Sequence, residues 1–302
     1  MTRYAHIINP FKASTDRDIY FAQPVAFESI KRAKDFSRKN IIVDLLTAQF
    51  REDRTIVPGY FQVLDDLDRS FLENQDQEYK LPYIVDILDQ AYHNANDAEY
   101  IVHSETDIAL MPHFYEAVDQ FIDQGYDAII INCRTIPEKY SDKSELPLMW
   151  SEVGEKHPGW DCFIFRRDVY KKFSLGDVIV GANSIGRALY VNMKYHAKNF
   201  IELTDSHLTF HIGKSDHLEN IYKPHKNYFA HKCNAHNEEE VLKIINTLLK
   251  DTRPDKAKWL EQWKDDCESR LGRYRKSEEE GKRHKYLGYW RLKNIKNKLG
   301  LK

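Results

Sequence analysis

Short, mostly apolar runs alternate with helix-periodic stretches along most of the chain. Such runs are typical of buried strands, whereas apolar residues that recur every three or four positions are typical of amphipathic helices. Strands are predicted at residues 5–10, 41–46, 100–103, 127–132, 162–166 and 200–210. Helices are predicted at residues 25–36, 60–72, 81–94 and 112–124, and the helical pattern resumes after residue 237. The alternation predicts an α/β fold with a mostly parallel sheet flanked by helices.

Two segments fall outside this alternation. Residues 137–160 are rich in proline, glycine, serine and charged side chains, which predicts an ordered loop or lid. The C-terminal part is helical in pattern. We therefore expect one α/β domain over residues 1–235 and a helical C-terminal extension over residues 236–302.

The composition restricts the class of protein. The chain has 302 residues, of which 42% are hydrophobic, and this is enough to bury a core. No apolar run approaches the ~18 residues of a transmembrane helix. Four cysteines without a CxxC spacing predict reduced, buried thiols, with zinc ligation as the alternative. The first ten residues lack the apolar stretch of a signal peptide, so we expect a cytoplasmic protein.

The basic charge is concentrated at the C-terminus. Residues 281–302 contain eight lysines and arginines and no acidic residue, whereas the whole chain has a net charge of −2. Aromatic and aliphatic residues are interleaved with these bases, and on a helix positions 288, 292, 295 and 299 form one stripe. A basic amphipathic segment of this kind, residues 282–302, predicts contact with an anionic membrane surface. A helix packed on the acidic body, a nucleic-acid patch and a solvated end are the alternatives.

Several common catalytic signatures are absent from the sequence. It contains no GxxxxGK[ST], no GxGxxG after a strand, no GxSxG and no HExxH. This disfavours P-loop ATPases, kinases, Rossmann dehydrogenases and α/β-hydrolases.

A short acidic element directly follows one predicted buried strand. Glu105 and Asp107 come after the strand at residues 100–103, and on an extended chain side chains two positions apart point to the same side. Ligands of open α/β sheets bind at the carboxyl ends of the strands. Carboxylates there could hold Mg²⁺ together with phosphate oxygens. Alternatively, Asp107 caps the following turn and Glu105 is solvated.

Four groups of short segments occur in an order and spacing that match a known family. They are His6–Pro10 with Glu28–Ile30, Leu81–Leu88 preceding Glu105–Asp107, Gly159–Phe163, and Leu208–Gly213. Over residues 6–212 the sequence resembles the GT-A-type glycosyltransferases, of the family-2-like kind. The resemblance implies a Rossmann-like mostly parallel sheet flanked by helices, and covers about two-thirds of the chain.

The resemblance implies a divalent metal site. Glu105–Asp107 lies where the family has its DxD motif, with Glu105 in place of the first aspartate, and His211 lies where some members have a third ligand. The expected cofactor is Mn²⁺ or Mg²⁺. For His211, a core histidine satisfied by a backbone carbonyl is the alternative, and His207 is a competing ligand nearby.

The resemblance also implies an acceptor side. Asp161 lies in an element like the family's GWD motif, whose acidic residue takes the proton from the acceptor hydroxyl in inverting members. Trp160 would offer an apolar ring to a sugar face. The alternatives are an aspartate at the start of a strand and a tryptophan in the core.

Four residues are expected on the nucleotide side of the site. Asn9 and Pro10 end the first strand, Asp44 lies on the second, and Arg134 follows the strand at residues 127–132. The first three are placed near the base or ribose by topology alone, and a turn-capping role is equally compatible. Arg134 could bind phosphate bidentately or pair with an acidic side chain.

These observations favour an enzyme. We expect a metal-assisted glycosyltransferase that moves a sugar from a UDP- or GDP-sugar to a glycan or lipid-linked acceptor, with no nucleic acid as partner. The location would be cytoplasmic, with peripheral contact at the inner face of a membrane. A nucleotidyltransferase acting on a sugar phosphate and a non-catalytic binding protein on the same fold are the alternatives.

Overall fold

The computed structural model describes residues 1–15, 18–71, 80–157, 159–213, 227–250, 252 and 254–298, without the side chains of residues 227–229, 254–255 and 281–298. The chain forms two compact units, one made of Met1–Leu175 and Leu189–Ser215, the other of Gly176–Ala188 and Asp216–Lys302. Because residues 214–226 lie outside the described part, the predicted division into 1–235 and 236–302 stays a prediction.

Seven strands form the central sheet of the first unit. They are β1 (Thr2–Ile8), β2 (Ile41–Thr47), β3 (Gln62–Val63), β4 (Tyr100–Ser104), β6 (Ala128–Ile131), β9 (Cys162–Arg166) and β10 (Phe200–Leu203). Their order across the sheet is β10-β6-β9-β4-β1-β2-β3. Neighbouring strands are parallel except that β9 runs antiparallel to both β4 and β6. The antiparallel β9 therefore begins at the edge where its neighbours end.

Helices cover this sheet and bury its apolar side chains. The longer ones are α1 (Asp18–Phe36), α2 (Ile84–Asn94) and α3 (Phe114–Asp123); α4 (Leu146–Met149) and α5 (Arg167–Tyr170) are single turns, and α6 spans Ile185–His196. Ile30 of α1 and Val118 of α3 are fully buried in one core cluster with Val102 of β4. The left-handed Gly125, with φ 96°, ends the α3 segment, as a glycine C-cap does. The predicted α/β fold, with a mostly parallel sheet and a helical C-terminal part, is confirmed.

A small second sheet lies beside the end of the central one. Its strands are β5 (Ala109–Leu110), β7 (Arg134–Ile136), β8 (Glu155–Lys156) and β11 (Thr209–Ile212), in the order β5-β11-β7-β8. In β11, Phe210 pairs with Ala109 on one side and with Arg134 on the other. This sheet therefore joins the segments that follow β4 and β6 to a strand from much later in the chain.

The predicted helix at residues 60–72 is wrong over its described residues. The chain there is irregular apart from β3, although its apolar side chains are largely buried. The amide of Leu64 donates to the carbonyl oxygen of Thr47, and that of Leu67 donates to Gln49. Because these bonds reach the chain of β2 and the residues after it, they replace the local bonds that a helix would need.

Two other predictions need correction in detail. Residues 137–160, expected to be a loop or lid, contain a 3₁₀ turn, α4 and β8, while residue 158 lies outside the described part. The single strand predicted at residues 200–210 is two strands, β10 and β11, joined by a turn that contains His207. His207 is therefore not on the strand face of His211.

The second unit contains two long helices, α7 (Asn227–Lys250) and α8 (Pro254–Lys298), which pack against each other. A fully buried carboxylate, Glu238, accepts hydrogen bonds over 2.5 Å from Arg270 and from the hydroxyl of Ser184. Arg187 lies 3.8 Å from its other oxygen. The loop before α6 is thereby tied to both helices of this unit.

Glu238→Ala is expected to destabilise the protein by about 3–5 kcal/mol, since it leaves two arginines without their buried partner. Chemical denaturation followed by circular dichroism measures this change. The matched control is the neighbouring Glu239→Ala, whose side chain is 39% exposed and bonds to Arg275 at 2.8 Å. An exposed pair contributes about 0–1 kcal/mol. Equal losses in the two variants would contradict the structural role assigned to Glu238.

The backbone of α8 is helical as far as Lys298. The side chains of residues 281–298 and all of residues 299–302 lie outside the described part. The predicted amphipathic, membrane-binding character of residues 282–302 therefore stays a prediction. Within the described residues, no helix combines the length and the apolar character required to cross a bilayer.

Candidate active site

The register of β9 brings three chain segments together at one edge of the central sheet. Cys162, the first residue of β9, lies opposite both Ser104 at the end of β4 and Ile131 at the end of β6. The residues that precede β9 therefore lie beside those that follow β4 and β6. A backbone hydrogen bond of 3.1 Å from the amide of Glu105 to the carbonyl oxygen of Asp161 joins two of these segments.

The acidic element forms a tight turn after β4. The amide of Ile108 donates to the carbonyl oxygen of Glu105 over 3.2 Å, and the hydroxyl of Thr106 donates to the side-chain oxygen of Gln23 over 3.0 Å. Glu105 is half-buried, and the side chain of Asp107 is 17% exposed. Both carboxylates are therefore partly enclosed, and the turn that carries them is hydrogen-bonded to α1 through Thr106.

Both ring nitrogens of His211 have polar contacts. Nδ1 lies 3.0 Å from the carbonyl oxygen of Gly213, to which it can only donate, and Nε2 lies 3.1 Å from Oδ2 of Asp107. Burial lowers the pKa of His211, but Asp107, the carbonyl oxygen of Gly213 and the charge of Asp161 together outweigh burial and raise this pKa to about 9. Burial raises the pKa of Asp107, but His211, a backbone hydrogen bond and the charge of His157 together outweigh burial and lower this pKa. Two of the three predicted metal ligands are thus in direct contact.

Three carboxylates share this place with one imidazole. Burial, Asp161 and Asp107 together raise the pKa of Glu105 well above its usual range. Burial also raises the pKa of Asp161, which is 8% exposed. Desolvation and repulsion between the carboxylates both disfavour the ionised forms of Glu105 and Asp161, and a nearby cation would reverse this effect.

The donor set fits a hard or borderline divalent cation. Mg²⁺ prefers carboxylate oxygens, and Mn²⁺ also accepts them with imidazole nitrogen. A backbone carbonyl commonly fixes the second ring nitrogen of a metal-bound histidine, and Gly213 occupies that position here. Asp107 and His211 are in direct contact, and the use of Glu105, Asp107 and His211 as ligands of Mn²⁺ or Mg²⁺ stays a prediction.

Trp160, the residue before Asp161, is held from two directions. Its Nε1 donates to Oε1 of Glu202 over 2.6 Å, and its ring stacks on Tyr190 with centroids 4.7 Å apart. The indole is half-buried. Its orientation is therefore fixed before any ligand is bound.

The residues after β1 form an ordered loop. Asn9 donates from Nδ2 to the carbonyl oxygen of Ala48 over 2.6 Å, and Pro10 is buried beside it. The amide of Lys12 donates to Oδ1 of Asp53 over 2.8 Å. Asn9 and Pro10 thus lie at the carboxyl end of β1, next to the chain that leaves β2.

The structure does not bring Asp44 or Arg134 into this group as free ligand-binding side chains. Asp44 lies three residues before the end of β2, where its two oxygens accept hydrogen bonds of 2.7 and 3.1 Å from Arg3. Arg134 donates to the carbonyl oxygens of Val153 and Gly154 and pairs with Asp205 at 2.5 Å. The nucleotide-binding roles of both residues stay predictions.

Two residues at this edge were not predicted as site residues from the sequence. Cys133 follows β6 and His157 follows β8, and together with Asp161 they offer ligand atoms that all lie within 4.8 Å of one another. They are distant in sequence and belong to no motif. Their proximity depends on the antiparallel position of β9, which no local pattern indicates.

No family model matches the chain, and no curated protein matches it. Several solved structures are similar in fold. Residues 1–349 of S. aureus TarS in complex with UDP-GlcNAc are 13% identical over 96% of this chain and 92% of that chain, with a TM-score of 0.46. A protein from Desulfovibrio desulfuricans G20 assigned as a nucleotide-diphospho-sugar transferase is 13% identical over 81% and 99%, with a TM-score of 0.36. A protein from Bacillus anthracis assigned as a glucose-1-phosphate thymidylyltransferase is 11% identical over 78% and 95%, with a TM-score of 0.41. Similarity at these identities and TM-scores does not identify a function.

Proposed function

We propose that the protein is a GT-A-type glycosyltransferase that transfers a sugar from a nucleotide-diphosphate sugar to a glycan or lipid-linked acceptor, assisted by a divalent metal. The observation that carries the proposal is the grouping of Glu105, Asp107, His211 and Asp161 at one edge of the sheet. Such an edge is where open α/β sheets bind ligands.

The first three residues would hold the cation. Oδ2 of Asp107 and Nε2 of His211 face each other at 3.1 Å, and Glu105 lies close enough for its pKa to be raised by Asp107. Mn²⁺ or Mg²⁺, when bound, neutralises charge that develops on the departing nucleoside diphosphate. The turn that carries Asp107 is fixed through Thr106, so the carboxylate is positioned before the donor binds.

Asp161 would act as the general base. Its carboxylate lies at the start of β9, beside the acidic turn, and burial raises its pKa. A carboxylate with a raised pKa is the stronger base, and it can take the proton from an acceptor hydroxyl within hydrogen-bond distance. Trp160, fixed by Glu202 and Tyr190, would present its ring to a sugar of the acceptor.

The nucleotide would lie toward β1 and β2. Asn9 and Pro10 follow β1, and the acidic turn follows β4. Both lie at the same edge of the sheet because the two strands are parallel neighbours. The basic segment 282–302 would bring the enzyme to an anionic membrane that carries a lipid-linked acceptor, a role that rests on its sequence alone.

A nucleotidyltransferase acting on a sugar phosphate is less well supported. Such an enzyme would be expected to have a glycine-rich loop with arginine or lysine after its first strand. Here residues 9–13, Asn-Pro-Phe-Lys-Ala, contain no glycine. A non-catalytic binding protein would be expected to have lost its acidic ligands, whereas Glu105 and Asp107 are both present.

Thermal unfolding with a panel of UDP- and GDP-sugars, each with and without Mn²⁺, tests the proposal. We expect one nucleotide sugar to raise the melting temperature in the presence of Mn²⁺ and less after EDTA, since a ligand that binds only the folded state stabilises it. Release of nucleoside diphosphate with that donor identifies glycosyl transfer, whereas release of pyrophosphate from a nucleoside triphosphate and a sugar phosphate identifies the nucleotidyltransferase. No stabilisation by any member of the panel would contradict a donor site.

A further inference from the structure

We propose that Cys133, His157 and Asp161 form a zinc-binding site, separate from the Mn²⁺ or Mg²⁺ position assigned to Glu105, Asp107 and His211. Cys133 follows β6, His157 follows β8 and Asp161 precedes β9. Their thiol sulfur, imidazole nitrogen and carboxylate oxygen all lie within 4.8 Å of one another.

This spacing is close to what zinc requires. Zinc binds sulfur at about 2.3 Å and nitrogen or oxygen at about 2.0–2.2 Å in a tetrahedral arrangement, so its ligand atoms are roughly 3.3–3.8 Å apart. Side-chain movements of about 1 Å would bring the three atoms to these separations. The fourth position of the tetrahedron is then available to water.

The histidine already has an oriented ring. Nδ1 of His157 lies 3.2 Å from the hydroxyl oxygen of Thr135, a contact of the kind that supports metal-bound histidines from behind. The backbone amide of His157 donates to the carbonyl oxygen of Cys133 over 3.2 Å. Two of the proposed ligands are therefore held together through the backbone as well.

Gly159 keeps the space beside two ligand atoms open. A Cβ atom built on Gly159 would lie 2.9 Å from Nε2 of His157 and 3.1 Å from Oδ1 of Asp161. Gly159 does not have the left-handed backbone that requires glycine for conformational reasons. The absence of a side chain at Gly159 therefore leaves room for Nε2 of His157 and Oδ1 of Asp161 to approach each other.

The chemistry of the ligands selects zinc over the cation of the neighbouring position. Thiolate is a soft ligand that favours zinc, whereas Mg²⁺ and Mn²⁺ favour oxygen. Binding would convert the Cys133 thiol to a thiolate and release its proton to solvent. Zinc would also engage Asp161 and so inhibit transfer, and this consequence, unlike the site itself, rests on the proposed role of Asp161 as base.

Cobalt(II) is the probe for the site because its spectrum reports both sulfur ligation and coordination number. Metal-free protein titrated with Co²⁺ is expected to develop a thiolate-to-cobalt charge-transfer band in the near ultraviolet and the intense visible bands of four-coordinate cobalt. One equivalent of Zn²⁺ should abolish both. Absence of the charge-transfer band in the wild-type protein would overturn the proposal.

Substitutions identify the residues that give rise to the charge-transfer band. Cys133→Ser should abolish it, and Gly159→Ala and His157→Gln should each weaken cobalt binding at least tenfold. The matched control is Cys162→Ala, which removes the other thiol next to Asp161 and should leave the band unchanged. A charge-transfer band that survives Cys133→Ser, or that is lost in Cys162→Ala, would refute the zinc site. If Cys133→Ser fails to fold, unchanged cobalt affinity in both His157→Gln and Gly159→Ala would refute it instead.

Asp107→Asn separates this proposal from the proposed function. The variant should keep the charge-transfer band because Asp107 is not a ligand of the zinc site. Loss of the band would show that the two positions are one, which overturns the proposal. Wild-type protein that shows the band but has no glycosyltransferase activity with any nucleotide sugar would contradict the proposed function alone.

Discussion

Asp107→Asn is expected to lower the rate of sugar transfer on the order of 10³-fold while leaving the fold intact. A metal that stabilises charge in the transition state contributes several kcal/mol, and each ~1.4 kcal/mol corresponds to tenfold in rate. The substitution removes an anionic ligand but no volume, and Asp107 faces His211 rather than the hydrophobic core. Initial rates at saturating donor and Mn²⁺ measure the loss, and circular dichroism checks the fold.

The matched control for this prediction is Asp97→Asn. Asp97 is 86% exposed and lies 3.9 Å from Arg3, so its substitution removes the same charge from the surface. Its transfer rate should stay within twofold of the wild type. Full activity of Asp107→Asn in the presence of EDTA would rule out metal-assisted transfer.

The strands that deliver the acidic turn could be predicted from the sequence. β4 and β6 are buried along their whole length; β6 appears as a continuous apolar run, and β4 begins with the apolar run Tyr100–Val102. The acidic residues follow β4 directly. Their approximate location could be predicted because ligands of open α/β sheets bind at the carboxyl ends of the strands. The contact between Asp107 and His211 required the family resemblance as well, because 104 positions separate the two residues.

The direction of β9 could not be predicted from its own residues. An antiparallel strand buried between two parallel ones has the same apolar pattern as its neighbours, and only the pairing of Cys162 with Ser104 and Ile131 distinguishes it. That pairing brings Cys133 and His157 to Asp161. No local sequence pattern therefore indicates that these two residues lie beside Asp161.

Periodicity was misleading where tertiary hydrogen bonds determine the backbone. The apolar residues near Leu64 and Leu67 recur at helical spacing, but their amides bond to the chain at Thr47 and Gln49. The pairing of Asp44 with Arg3 of the neighbouring strand is another contact between residues far apart in the sequence. Local patterns do not contain such long-range partners.

Asp161→Asn is expected to lower turnover by ~10²–10⁴, the usual contribution of a positioned general base. The amide has the same shape as the carboxylate but cannot accept the proton of the acceptor hydroxyl. The backbone contact to Glu105 uses the carbonyl oxygen of Asp161 and is retained in the variant. Donor affinity should therefore change little, since the proposed nucleotide contacts at Asn9 and Pro10 do not involve this side chain.

Turnover with saturating acceptor and donor affinity by calorimetry separate the two effects. The matched control is Asp168→Asn, just beyond the opposite end of β9, where a side chain 55% exposed pairs with Arg166. This control should leave both quantities unchanged. A collapse of donor affinity in Asp161→Asn, with turnover preserved at saturating donor, would place Asp161 on the nucleotide side and would leave the acceptor hydroxyl without the base proposed for it.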